Sequence, residues 1–149
     1  EIKPFELEKG SPLTQINHIG SPKVIIEEDE VDQAKLNLGY RFPTYYGKQN
    51  YYAFVVFNMM FGGDPSSVLF NEVREKQSLA YSIHSQIDGK NGFLFVLSGV
   101  SADKYERAKD TILEEFDKLK NGEFDETKLE LAKKLLFHTD MNLLIDLKA

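Results

Sequence analysis

The sequence predicts an α+β fold: a largely antiparallel sheet with helices packed on one face, in the order β-α-α-β-β-α-α. Three observations carry this expectation. Residues 34–42 alternate apolar and polar side chains with period two, as a half-buried strand does. The pair Asn91-Gly92 stands between two strand-like runs, the strongest short-range signal of a hairpin. Beyond residue 101, apolar residues return at three- and four-residue steps, the mark of amphipathic helices.

Residues 1–22 are the least patterned, with Pro4, Pro12 and Pro22 among Gly10, Ser11 and Gly20. Proline fixes its own backbone and turns the preceding residue away from helix, so this part reads as an extended arm or inter-domain linker. Val24-Ile25-Ile26 is a short apolar run suited to an edge strand, and Glu27-Glu28-Asp29-Glu30 reads as a solvated acidic turn. In the first clear strand Ala34, Leu36, Leu38, Tyr40 and Phe42 face one way, and Lys35, Asn37, Gly39 and Arg41 the other. Pro43 and Gly47 close it. Residues 51–61 hold Phe54, Val55, Phe57, Met59, Met60 and Phe61, a density that suits a nearly fully buried helix. Gly62-Gly63 ends that helix in the left-handed conformation glycine allows.

Asp64 can cap the next helix, with Pro65 at its first position, where a missing N–H costs nothing. Leu69, Phe70 and Val73 share one face of it, away from Glu72, Glu75 and Lys76. At Gln77-Ser78 it gives way to Leu79-Ala80-Tyr81-Ser82-Ile83, which alternates like a strand and places Tyr81 beside Leu79 and Ile83. Phe93-Leu94-Phe95-Val96-Leu97 is continuously apolar, so this strand is expected to be central and covered on both faces. Ser101 can cap the helix that carries Tyr105, Ala108, Ile112, Phe116 and Leu119 on one face. Lys118 and Lys120 suit its C-terminus, and Asn121-Gly122 stops it. Asp125 caps a last helix through Leu129, Ala132 and Leu136, expected to run past Met141 to the chain end.

A chain of 149 residues is most simply one domain, able to bury roughly two thirds of its unfolded surface. Its 42% hydrophobic and 28% charged residues belong to an ordinary folded globular protein. With 18 basic against 24 acidic residues the net charge is −6, which argues against a nucleic-acid surface. The absence of cysteine removes disulfides and thiolate chemistry and permits a reducing, cytoplasmic setting. No apolar run approaches the ~18 residues a membrane span needs, so no membrane partner is expected. The chain opens without methionine and ends inside a helical pattern, which suggests a piece of something larger.

Most familiar catalytic constellations are missing. His18, His84 and His138 form no i, i+4 pair, so two metal ligands one helical turn apart with a glutamate between them cannot be assembled. His84 shares a strand face with Ala80, Ser82 and Gln86 and reads as a hydrogen-bonded polar residue. Ser66, Ser67 and Ser78 lack the Gly-x-Ser-x-Gly turn that exposes a nucleophile, and no Gly-x-x-x-x-Gly-Lys follows the glycine pair. Arg74 and Tyr81, seven positions apart, stand on either side of the helix-to-strand turn. Arg74 can be a surface helix residue paired with an acid, or a fork that holds a peptide carbonyl or carboxylate. Tyr81 can be a partly buried core tyrosine, or a donor to a carbonyl oxygen as negative charge builds on it.

The run from Phe61 to Ser85 carries a resemblance. Gly62-Gly63, then Ser67-Val68-Leu69-Phe70, Val73-Arg74-Glu75-Lys76 and Leu79-Ala80-Tyr81-Ser82 follow one another as in the second-domain signature of the pitrilysin/insulinase (M16) peptidase family. The match covers roughly residues 30–136 and resembles the bacterial two-subunit members and mitochondrial processing peptidase. The glycine segment is much shorter than in processing-peptidase subunits.

The resemblance implies a LuxS/processing-peptidase-like sandwich over residues 23–149, truncated at its C-terminus, with residues 1–22 as the arm from a missing first domain. It implies that Arg74 and Tyr81 are the family's arginine and tyrosine that reach substrate, with Gly62, Gly63, Asp64, Ser66 and Ser67 as a substrate-facing loop. The family's zinc motif, His-x-x-Glu-His, belongs to a first domain. This chain is therefore expected to carry no metal or other cofactor, to be inactive alone, and to close a peptide chamber with a homologous zinc-bearing domain or subunit. The alternative is a catalytically inactive structural or interaction subunit of the same family. Outside the family, the remaining reading is an α+β binding module with a small-ligand pocket.

Overall fold

The computed structural model describes residues 20–28, residue 30 and residues 33–146, with 139–146 as backbone. The arm expected over residues 1–22 thus lies outside the described residues except at its end, as do His18, Asp29 and residues 147–149, over which the last helix is expected to continue. The elements follow in the expected order. Strand β1 (Ala34–Arg41) leads to helix α1 (Tyr51–Asn58), which widens into a π-helical turn over Met59–Gly63. A π-helix (Phe70–Lys76) precedes strands β2 (Ala80–Asp88) and β3 (Phe93–Val100), and helices α2 (Tyr105–Lys120) and α3 (Glu126–Asp146) complete the chain.

The sheet is antiparallel in the order β1-β3-β2, from Ala34↔Val100 to Arg41↔Phe93 on one side of β3 and to Asp88↔Phe93 on the other. The hairpin turns through Gly92, whose φ of +70° only glycine adopts without strain and whose N–H donates to Asp88 O. The Asp88 carboxylate steadies the turn by accepting from the amides of Lys90 and Asn91 and from the Asn91 side chain. On the covered face, Leu94, Val96 and Val100 of β3 lie under Phe61, Leu69, Val73, Ala108 and Ile112. Buried Ser98 satisfies its hydroxyl by donating 2.7 Å to the Leu36 carbonyl. At one end of the core Tyr40, Phe42, Phe57 and Phe61 close around Phe116, with the Tyr40 and Phe116 rings stacked at 4.1 Å.

Several local expectations meet the structure. Asp125 caps α3 by accepting from the Thr127 amide at 2.9 Å, and Gly122 ends α2 at φ +81°. Others do not. Asp64 accepts from the Ser66 amide at 2.8 Å in a turn that precedes the helix, which begins only at residue 68, so neither Asp64 nor Pro65 starts it. Residues 24–26 form no strand, and Val24, Ile25 and Ile26 are all exposed, since no strand edge among the described residues takes them up. Helix α1 is buried along one stripe only, with Tyr52 and Ala53 facing outward. Strand β3 is central but covered on one face, and Phe95 lies on the open one, 36% exposed. Ser101 occupies the cap position of a short 3-10 turn (Ala102–Lys104) that leads into α2, yet only its carbonyl serves the turn, accepting from Lys104 N–H, while its side chain makes no cap bond.

Gly62 and Gly63 are not in the left-handed region. They are glycines because of what lies against them. A Cβ at Gly62 would meet Ser85 Oγ at 2.7 Å and Ser85 N at 2.8 Å; one at Gly63 would meet Asn58 Nδ2 at 2.8 Å. The π-helical turn therefore packs its backbone directly on β2.

Candidate functional site

The stretch from Arg74 to Tyr81 is a wide turn held from several sides. Val73, fully buried, pins the π-helix to the sheet. The helix closes with an i→i−4 bond from Ser78 N–H to Arg74 O and a longer i→i−6 bond from Leu79 N–H to Val73 O at 2.8 Å. Between them Ser78 has φ +50°, uncommon for a residue other than glycine. A π-helical stretch ending in a left-handed serine is the kind of local irregularity that persists when surrounding contacts hold it, often beside a functional site.

Arg74 leaves the π-helix with its guanidinium carbon 4.6 Å above the Phe70 ring. Its side chain is 41% exposed, and its nearest carboxylate, Glu75 Oε1, is 3.8 Å away. An exposed pair at that distance contributes little and, among the described residues, leaves the fork's donors largely unused.

Tyr81 is not where alternation puts it. Ala80 pairs with Val100 and Ser82 with Gly99, so the strand carries one extra residue between them, and that residue is Tyr81. Leu79, Ala80 and Ile83 are buried, whereas Tyr81 and Ser82 both face out, Tyr81 at 56% exposure. The bulge thus corrects the expectation that Tyr81 shares a face with Leu79 and Ile83. The phenol oxygen lies 3.0 Å from Ser101 Oγ. Two more side chains, one just before α2 and one in its first turn, reach the same turn: Lys104 Nζ donates to Ser78 O at 3.0 Å, and Arg107 donates to Gln77 Oε1 at 3.3 Å. Arg74 and Tyr81 are linked through this turn and not by a direct hydrogen bond. Sequence reasoning missed Ser101, Lys104 and Arg107, because contacts across 20 to 30 residues leave no local signal.

The loop before the π-helix divides. Gly63 and Ser66 are exposed and Asp64 half-buried, its Oδ1 also accepting from Ser66 Oγ at 2.6 Å. Gly62 and Ser67 are buried, so they lie behind the loop surface and do not face out with the other three. Ser67 borders a shallow cleft with Met59, Met60, Lys128 and Leu131.

His84, opposite Leu97 on the open sheet face, is exposed, and so is His138. Among the described residues no group of three histidine or carboxylate side chains is placed to hold a metal ion. No helix among them is long and apolar enough to cross a membrane.

Comparison with known proteins gives this arrangement a context. The family described as Peptidase M16 inactive domain matches residues 3–136. The chain is 44% identical over 115 residues to a probable inactive metalloprotease, YmfF, of Bacillus subtilis, covering 77% of this chain and 27% of that protein. It is 32% identical over 111 residues to an uncharacterized zinc protease, YmxG, of the same organism, over 73% of this chain and 27% of the relative. Among solved structures, a conserved protein of Enterococcus faecalis superposes with a TM-score of 0.74 at 38% identity, over 76% of this chain and 27% of that one. The chain therefore spans about a quarter of the length of these relatives.

Proposed function

The chain belongs to the peptidase M16 family, as a case of its inactive domain, and on that premise we propose that it is the zinc-free, substrate-binding part of an M16-type metallopeptidase. In this reading Arg74 and Tyr81 face a peptide chamber that a zinc-bearing domain completes, whether in another chain or in another part of the same protein. A cytoplasmic setting is part of the reading, in keeping with a chain free of cysteine.

The observation that carries it is the bulge at Tyr81, which turns out of the core a side chain that regular alternation would bury. A phenol in that position can donate a hydrogen bond to a peptide carbonyl oxygen as charge develops on it. The Arg74 fork, resting on Phe70, can hold a neighbouring carbonyl or a terminal carboxylate in its plane. Gly63, Asp64 and Ser66 are the loop positions open to the same substrate. Bond cleavage itself falls to the metal and base of the other domain. This chain's part is to hold the peptide and to meet the developing charge.

The test is hydrolysis of a quenched fluorescent peptide by the complex with the zinc-bearing domain. Arg74→Ala is expected to raise KM several-fold with a smaller change in kcat, the pattern of lost uniform binding. An unchanged KM would remove Arg74 from the site.

A second reading has its own support. The relative at 44% identity is named a probable inactive metalloprotease, which favours a structural or interaction subunit that has lost catalysis. The two separate on whether changes at Arg74 and Tyr81 alter the partner's turnover at all.

A further inference from the structure

The serine before α2 occupies an unusual position between two roles. A serine at a helix cap ordinarily accepts, through its side-chain oxygen, from an amide of the first turn. Ser101 has the extended backbone of such a cap, φ −74° and ψ 146°, and its carbonyl accepts from Lys104 N–H, yet its hydroxyl makes no cap bond. It lies instead 3.0 Å from the phenol oxygen of Tyr81, 20 residues away on β2. We infer that Ser101 is a positioning residue for Tyr81, holding the phenol at one orientation while its proton stays available to a substrate. The inference rests on the reading of Tyr81 as a substrate contact and adds the group through which that contact is oriented.

Hydrogen-bond direction makes the point specific. Either oxygen of the pair can be the donor. With Ser101 donating, the phenol oxygen accepts and its own O–H points away from the protein, free to meet a carbonyl. With Tyr81 donating to Ser101, that proton is occupied until substrate competes for it. A hydroxyl partner allows both arrangements through one atom, whereas a lysine ammonium or a backbone N–H in its place could only donate. Donation into the phenol oxygen also strengthens the bond the phenol gives, since linked hydrogen bonds polarise one another.

The neighbouring contacts serve the same end. Tyr81 is the extra residue of a bulge, and a bulge residue lacks the ladder partner that would fix its direction. The preceding Ser78 has φ +50°. Lys104 holds the Ser78 carbonyl and Arg107 holds the Gln77 side chain, so three residues at the β3–α2 junction and the start of α2 grip successive points of one irregular turn. Of these three it is Ser101 that hydrogen-bonds to Tyr81, and so of the three it is the one placed to set the direction of the phenol.

The experiment has two arms. In the first, tyrosine side-chain NMR couplings are measured on this 149-residue chain, with Tyr81→Phe used to assign the signal. Wild-type protein is expected to hold Tyr81 in one χ1 rotamer, Ser101→Ala to average it, and Ser101→Thr, which restores a hydroxyl, to bring back the single rotamer. An unchanged rotamer in Ser101→Ala would overturn the inference whatever Tyr81 does in catalysis. The thermal transition of each variant shows whether the fold is retained. In the second arm, kcat/KM on a quenched fluorescent peptide is measured in the complex with the zinc-bearing domain. Ser101→Ala is expected to lower it roughly two- to tenfold, the range given by one neutral hydrogen bond, and to have no further effect when Tyr81 is already Phe. Additive losses in the double variant would show Ser101 acting by another route and overturn the inference. If Tyr81→Phe alone changes nothing, the substrate-contact reading fails separately, while the rotamer result still decides whether Ser101 orients the ring.

Discussion

A methyl group on Gly62 would stand 2.8 Å from the backbone nitrogen of Ser85, closer than packed atoms come, so the first helix can reach β2 only through a glycine. The contact is fixed from both sides. Ser85 is buried and donates its hydroxyl at 2.8 Å to Asn58 Oδ1, one turn earlier in the same helical run. Gly62→Ala must therefore push a helical turn away from a strand backbone and disturb a satisfied buried bond. It is expected to destabilise the chain by about 1–3 kcal/mol, as overpacking does, in a denaturant titration. A change under ~0.5 kcal/mol would show that the turn shifts freely.

The two faces of β3 make a matched pair of substitutions. Leu94 is fully buried, and Leu94→Ala is expected to cost about 2–5 kcal/mol. Phe95 lies on the open face, stacked 5.8 Å from Phe93 and resting against Gly39. Phe95→Ala is expected to cost about 1 kcal/mol, the scale of one aromatic pair and partial burial. Equal losses at the two positions would mean that both faces of the sheet are covered in solution.

Tyr40 carries a buried hydroxyl that finds no hydrogen-bond partner among the described residues, although its ring stacks on Phe116. Burial, and then the charge of Asp117, push its ionisation well above the ordinary phenol range. Tyr40→Phe keeps the ring and removes the unsatisfied group, so it is expected to be neutral or to stabilise by up to about 1 kcal/mol. The raised value also sets a pH dependence. The neutral phenol's contribution is fully present below the ordinary value of ~10 and is lost as pH rises through the folded one. The alkaline decline in stability should therefore be shallower in Tyr40→Phe, and a steeper decline would contradict this placement of the hydroxyl.

Asp88 gives the opposite sign at acid pH. The Asn91 side chain, with the amides of Asn91 and Lys90, lowers its ionisation below the ordinary range. Its contribution is present above the unfolded value of ~3.9 and is lost as pH falls through the lower folded one. In Asp88→Asn the thermal midpoint should fall less between pH 5 and pH 2 than in wild type, to the extent this one carboxylate contributes. An identical acid profile would place the acid sensitivity elsewhere.

What the sequence discloses about this fold is mostly local. The order of elements, the turn at Gly92, the stop at Gly122 and the cap at Asp125 depend on backbone preferences within a few residues. The family relationship was legible for another reason: several short pieces recur in order around Arg74 and Tyr81. Tertiary contacts were not legible. Gly62 reads as a helix terminator and proves to be a point of contact with β2, because nothing near it in sequence announces Ser85. Tyr81 reads as a core-facing strand residue, because one inserted position in a strand pairing leaves no trace in composition. Phe95 reads as covered, because a run of apolar residues does not say how many layers a sheet has. Ser101 reads as a cap, because its partner lies on another strand.

The measurement that bears most directly on the function is the turnover of a quenched fluorescent peptide by the zinc-bearing domain in complex with Tyr81→Phe. Only a hydroxyl is removed from a side chain that is 56% exposed, so the thermal midpoint of the chain should stay nearly unchanged. If the phenol donates to the developing oxyanion, kcat/KM falls by roughly one to three orders of magnitude, as loss of one such donor does. Wild-type turnover in the Tyr81→Phe complex would contradict the assignment of Tyr81 to the peptide chamber.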